Sequence, residues 1–162
     1  LFQLQLEHYE KVEGTALSLE GKANQLSMMV RGNLQAAMMG MVVVPIFGGY
    51  DLRRECGRLW DYDATGGRYE ERDYVATGSG SLHAGTVIKV GFRPEMSRED
   101  AVNLAARALW EAADADSATG GPDVLRGIYP VVATIDAGGW NRLADEDLAV
   151  RYEAIVAEVR SR

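Results

Sequence analysis

The chain has 162 residues, 47% hydrophobic and 25% charged, with a net charge of −7, the balance of one ordinary globular domain with a single core rather than a disordered, fibrous or membrane chain. Lysine and arginine are scattered singly among more numerous acids, which disfavours nucleic acid as a partner. The single Cys56 cannot form an internal disulfide, and with His8 and His83 as the only histidines no Cys/His metal spacing exists.

At this length folding buries roughly two thirds of the unfolded surface, so neither a disulfide nor a structural metal is required. No segment approaches the roughly 18 uninterrupted apolar residues of a membrane span; the longest, Met38 to Phe47, is cut by Gly40 and Pro45. The first residues, Leu-Phe-Gln-Leu-Gln-Leu-Glu-His, lack the basic start and small-residue cleavage site of a secretory signal. A soluble chain in a reducing, cytoplasmic setting is expected.

In chain order, residues 1–12 read as a helix entered midway, with Phe2, Leu6 and Tyr9 on one face. A second helix starts at the N-cap Ser18, and its apolar stripe runs Leu19, Ala23, Leu26, Val30, Leu34, Ala37, Met41. Its methionines read as adaptable core packing. The apolar run Met41 to Phe47 then predicts a strand, and Arg58 to Tyr62 alternates as a second. Asp63-Ala-Thr-Gly-Gly67 predicts a hairpin loop into a third strand, Arg68 to Thr77. Short segments joined by tight turns favour an antiparallel sheet.

After Gly78-Ser-Gly-Ser81 a short helix is expected to about Val90. A longer one starts at Ser97-Arg-Glu-Asp100, a capping box with Asp in place of Glu, and buries Val102, Ala105, Leu109 and Ala112 until it ends near Asp116. A loop leads to a strand over Ile128 to Ile135. The last helix is capped by Asp145 and turns Leu148, Tyr152, Ile155 and Val159 inward.

Two constellations could carry chemistry. Gly78-Ser-Gly-Ser-Leu-His83 lies between a strand and a helix, yet its sixth position is His and no parallel βαβ unit surrounds it, so the dinucleotide fingerprint fails. No Gly-Lys-Ser/Thr sequence offers a phosphate loop. On its residues alone the segment reads as a flexible turn. Asp116-Ser-Ala-Thr-Gly-Gly121 puts a carboxylate at a helix C-terminus, where negative charge is disfavoured, so Asp116 is expected to have either a turn-forming donor or a chemical role. A Ser79, His83, Asp116 hydrolase triad stays open, although Ser79 is not in a Gly-x-Ser-x-Gly elbow. Glu70-Glu71 and Asp145-Glu-Asp147 read as solvated element ends, and Cys56, near Arg53 and Arg54, has no clustered base to make it catalytic.

The order and spacing of these segments resemble the β-subunits of the 20S proteasome in their actinobacterial form. The residues that carry the likeness are Glu7-His-Tyr-Glu-Lys11, Met29-Val-Arg-Gly-Asn33, Gly49-Tyr-Asp51, Ala76-Thr-Gly-Ser-Gly-Ser81 and Asp116-Ser-Ala-Thr-Gly-Gly-Pro-Asp123, followed by Arg126-Gly-Ile-Tyr-Pro130. The resemblance implies an α+β N-terminal-nucleophile hydrolase, a four-layer αββα sandwich with antiparallel sheets, of which residues 1–162 form one partial domain lacking the first strands. It implies a threonine-type endopeptidase degrading unfolded proteins in a barrel-shaped compartment, with no cofactor. Its partners would be other β-subunits, α-subunits and, through the α-rings, a ring ATPase, with no nucleic acid and no membrane. In such enzymes an N-terminal threonine attacks the peptide carbonyl and its own α-amino group is the base. By motif, Ser79 and Asp116 match residues that support the nucleophile, and Thr119 keeps a hydroxyl at a third supporting position. Residue 1 is Leu, and Thr15, Thr65, Thr77, Thr86, Thr119 and Thr134 are internal, so the nucleophile is expected to be missing from these residues. The rival expectation is a non-catalytic structural subunit of the same fold.

Overall fold

The structure, a computed structural model, describes residues 1–161. It forms two compact units, Leu1–Val75 and the residues from Ala76 on, each combining helices with one antiparallel sheet. Three separate buried clusters, one in the first unit and two in the second, take the place of the single core expected. No helix among the described residues is long and apolar enough to cross a membrane.

The first unit opens with α1 (Phe2–Glu13), which ends where Gly14 turns left-handed and donates its N–H to the Glu10 carbonyl. Ser18 caps α2 (Leu19–Gly32), its Oγ accepting the Gly21 N–H at 3.0 Å. The expected continuation to Met41 stops at Gly32, because the Asn33 side chain donates to the Met29 carbonyl and its N–H to Val30. Only a short α3 (Leu34–Met38) follows.

The sheet is β1 (Ile46–Asp51), β2 (Cys56–Tyr62) and β3 (Arg68–Glu71), in that order. The strand expected from Met41 starts instead at Ile46, whose partner is Asp61. One step further back Pro45 has no N–H to give a ladder, and one residue past Tyr62 the partner strand turns away. β3 likewise ends at Glu71, short of the expected Thr77. Alternation along β2 buries Arg58, Trp60 and Tyr62 on one face. Trp60 and Tyr62 form the core with Ala23, packed by Leu19, Leu26 and Phe47, and the Tyr62 hydroxyl donates to the Ala23 carbonyl at 2.6 Å.

Arg58, only 7% exposed, has an acidic partner on each of its three side-chain nitrogens. It donates to both carboxylate oxygens of Glu70 at 2.6 and 2.8 Å and to Asp51 at 3.1 Å, lies 3.5 Å from Glu20, and sits 4.7 Å over the Trp60 ring. Glu70, expected as a merely solvated strand end, is one arm of this clamp, and the Arg58 hydrogen bond holds its pKa below the ordinary value.

The β2–β3 turn is organised by Asp63, whose carboxylate accepts from the Thr65 hydroxyl and N–H, the Gly67 N–H and the Tyr69 hydroxyl at 2.7 to 3.0 Å. Gly66, at φ +87°, lies so close to α2 that a Cβ would stand 2.7 Å from the Ser27 carbonyl oxygen.

In the second unit α4 (Ser81–Gly91) packs on α5 (Arg98–Ala115) through Ala84, Ala108 and Ala112. Ser97 caps α5 as expected, accepting the Asp100 N–H at 3.0 Å and donating to the Asp100 carboxylate at 2.7 Å. The buried residues of α5 are Val102, Ala106, Ala108 and Ala112, whereas the predicted Leu109 is exposed. The helix is covered on two sides, by α4 and by α6 (Asp145–Arg160), and a single stripe does not describe it. Leu148 and Tyr152 of α6 join Val102, Ala106 and Val132 in the larger core, with Ile155 packed against it and Val159 exposed. Ala144 occupies the N-cap position in place of the expected Asp145, which instead enters the first turn beside Glu146 and Asp147.

The strand expected over Ile128 to Ile135 is shorter and belongs to a hairpin, β4 (Ala133–Asp136) with β5 (Gly139–Arg142), pairing Ile135 with Trp140. Pro130 interrupts its beginning, and the turn is set by the Gly138 N–H on Asp136 and by Gly139 at φ +105°.

Two outcomes follow from this packing. The bonds to Asp63, the Thr65 hydroxyl foremost, hold its pKa at about 2 against an ordinary 3.8. A carboxylate depressed in the folded state stabilises it above the unfolded pKa and loses that contribution as pH falls towards the folded one. Asp63→Asn is therefore expected to melt below the parent at pH 6 and to converge with it between pH 4 and pH 2; a gap independent of pH would count against this role. Separately, Met38, Met39, Met41, Val42 and Val43 are all more than half exposed in one run, so the 162-residue chain should self-associate and bind a hydrophobic dye. Met38→Lys with Val43→Lys should reduce both, as read by light scattering and dye fluorescence.

Candidate active site

Ser79 lies in the turn before α4, exposed, between Gly78 at φ +96° and Gly80, the N-cap residue of the helix. The chain tightens there through the Ser81 N–H on the Gly78 carbonyl, and the His83 and Ala84 N–H groups both reach Gly80. Asp116 is the C-cap of α5, its N–H still bonded to the Ala112 carbonyl while its own carbonyl accepts the Thr119 N–H. Helix packing through alanine brings these two ends together.

One carboxylate oxygen organises the cluster. Asp116 Oδ2 accepts the Ser79 hydroxyl at 2.5 Å and the Thr119 hydroxyl at 2.6 Å, and Oδ1 accepts the Ala118 N–H at 3.2 Å. The Ser79 bond, then the Thr119 and Ala118 bonds, hold the Asp116 pKa below the ordinary carboxylate value against the opposing effect of partial burial. The C-terminal end of α5 disfavours this charge, but the N-terminal end of α4, at Gly80, stands next to it and favours it.

Gly80 is required by the geometry. A Cβ there would lie 2.5 Å from Thr119 Oγ1, 3.1 Å from the Ala112 methyl and 3.5 Å from Asp116 Oδ2. In the sequence the glycine reads only as turn punctuation; its position immediately before a helix that packs through alanine is the signal that could have found it.

All three sequence-predicted residues, Ser79, Asp116 and Thr119, thus meet in one hydrogen-bonded group. The alternative Ser79, His83, Asp116 relay is not formed, because the Ser79 hydroxyl goes directly to Asp116 with no imidazole between them. Cys56 is exposed on the first unit. Among the described residues no group of three or more His, Cys, Asp and Glu side chains could hold a metal ion.

Chemically the group is an orienting device. A carboxylate held ionised is a weak base, so Asp116 fixes the two hydroxyl protons rather than removing them. Both hydroxyl oxygens keep lone pairs for an incoming donor, such as an ammonium or another hydroxyl. The class this defines is an α+β protein of antiparallel sheets and packed helices that presents a carboxylate-anchored hydroxyl pair.

The particular family follows from comparison with known proteins. The family model described as "Proteasome subunit" matches residues 1–125, and the chain belongs to the proteasome subunit family. It is 55% identical over 165 aligned positions to a protein of Acidimicrobium ferrooxidans named proteasome subunit beta, covering all of this chain and 60% of that one. It is 57% identical over 147 positions to the protein of that name from Streptomyces griseus, covering 91% of this chain and 52% of that one. The chain therefore spans between half and two thirds of the length of these relatives.

Gly80→Ala is expected to push Thr119 and Ala112 away and to cost about 1–3 kcal/mol, the usual range for overpacking a close contact. Chemical denaturation of the parent and variant measures it, and a variant as stable as the parent would show that the contact relaxes freely.

Proposed function

We propose that residues 1–162 form part of a β-subunit of the 20S proteasome core particle, a threonine-type endopeptidase that degrades unfolded proteins inside a barrel-shaped cytoplasmic compartment. Its partners are other β-subunits, α-subunits and, through the α-rings, a ring ATPase. The observation that carries the catalytic reading is the Asp116 carboxylate with the Ser79 and Thr119 hydroxyls bound to one oxygen. An enzyme whose nucleophile also bears the basic amine needs nearby acceptors to orient that ammonium and hydroxyl, and this group supplies acceptors only.

Each of the six threonines here after residue 1 has its α-nitrogen in a peptide bond, so none of them is an N-terminal nucleophile. Residues 1–162 contribute the supporting side of the site. Alone they are expected to hydrolyse no fluorogenic peptide.

In a subunit of the family's full length, Asp116→Asn keeps the shape and removes the charge. Turnover is expected to fall at least roughly tenfold, about 1.4 kcal/mol of barrier, with ring assembly and melting temperature nearly unchanged. If activity survives and assembly fails, Asp116 is a structural cap. If the assembled full-length parent hydrolyses nothing, the non-catalytic structural subunit is the correct reading.

A further inference from the structure

Within the first unit, the start of α2 and the turn from β1 to β2 border a cleft of about 420 Å³, the size of a small-molecule site. Both walls are fixed. One Asp51 carboxylate oxygen accepts the Arg53 and Arg54 N–H groups at 3.0 and 3.2 Å, and the turn closes through Glu55 at φ +53°. Opposite it Ser18 caps α2, and Leu19 packs so closely over Gly49 of β1 that a Cβ there would stand 2.4 Å from a Leu19 methyl carbon.

Four cationic residues, Lys22, Arg53, Arg54 and Arg58, and two acids, Glu20 and Asp51, line the cleft, a local excess of positive charge on a chain whose net charge is −7. The acids are already engaged. Arg58 donates to Asp51 at 3.1 Å and stands 3.5 Å from Glu20, which lies 3.9 Å from Arg68 as well. Arg54 interacts with the charge of Glu70. Among the described residues the Lys22 ammonium and the Arg53 guanidinium have no carboxylate partner. Beside these two cations Leu17, Tyr50 and the exposed Leu52 supply apolar surface. Two uncommitted cations at the positive end of a helix, with an apolar wall next to them, complement an anionic head carried on an apolar body. A dianionic head matches two cations better than a carboxylate does.

We infer that this cleft binds a small organic phosphate, its phosphate held by Lys22 and Arg53 and its apolar body laid against Leu17, Tyr50 and Leu52. None of Ser79, Asp116 and Thr119 borders the cleft, so its occupancy does not depend on the catalytic reading.

Titration calorimetry on the full-length subunit at low salt, with phenyl phosphate, inorganic phosphate and phenol as probes, tests this. Phenyl phosphate is expected to bind at least roughly tenfold more tightly than inorganic phosphate, to weaken as salt is raised, and phenol to give no measurable heat. Lys22→Ala combined with Arg53→Ala should weaken phenyl phosphate at least roughly tenfold. Leu52→Ala should weaken phenyl phosphate and leave inorganic phosphate unchanged, and Arg126→Ala, which removes a cation outside the cleft, should bind as the parent does. Should the alanine pair melt below the parent, Lys22→Gln and Arg53→Gln decide singly, each with an expected loss of at least roughly twofold. No heat from the parent, equal affinity for phenyl and inorganic phosphate, or parental affinity in the alanine pair or in both glutamine variants would each overturn the inference.

Discussion

The second unit's chemistry depends on one carboxylate oxygen that accepts two hydroxyl hydrogen bonds. Asp116 Oδ2 binds Ser79 from the turn before α4 and Thr119 from the loop after α5, so the ends of both helices are fixed to a single point. That point exists only because α4 and α5 approach closely. Ala84, Ala108 and Ala112 leave little between the helices, and Gly80 leaves nothing where its side chain would have been. The packing residues and the polar residues are therefore parts of one design. Larger side chains at the alanine positions would separate Ser79 from Asp116 without touching either.

The first unit holds a charge in a different way, and the contrast separates structural from functional polarity. Arg58 is buried, and its donors are spent on Glu70 and Asp51 with the ring of Trp60 against its face. It joins β1, β2 and β3 and has little capacity left for a ligand. Asp116 is only half-buried, and its two hydroxyl partners each donate inward and keep acceptor capacity outward. A satisfied cluster that still faces solvent with unfilled acceptors is suited to meet a donor from elsewhere.

Local signals in the sequence were read reliably where the physics is local. The caps Ser18 and Ser97, the Asp63 turn and the alternation of β2 each involve residues a few positions apart, and each is present. Strand length was not legible, because it depends on where a partner strand ends: Met41 to Pro45 has strand composition but lies beyond the β2 ladder. Of the hairpin β4–β5 only the first strand overlaps the expected Ile128 to Ile135, and β5 went unanticipated because four residues are too short to show a period. The second buried face of α5 was hidden for the same reason, being defined by a neighbour rather than by a stripe. The site itself was named by family likeness. On residues alone Ser79 was a flexible turn and Asp116 a helix-ending aspartate, and the bond between them spans 37 positions, which no local pattern records.

The identity of residue 119 shows how tightly the site is drawn. Threonine and serine offer the same hydroxyl, but the β-branch of threonine restricts χ1, so the Oγ1 is held towards Asp116 at a lower entropic cost than a serine hydroxyl would incur. The extra methyl needs room. Thr119 is half-buried beside Gly80, and its Oγ1 already stands 2.5 Å from where a Gly80 Cβ would lie. A hydroxyl held at this place is thus compatible with glycine at 80, and alanine there would force it to move. The two positions, 39 residues apart in the chain, constrain each other through the space around one oxygen atom.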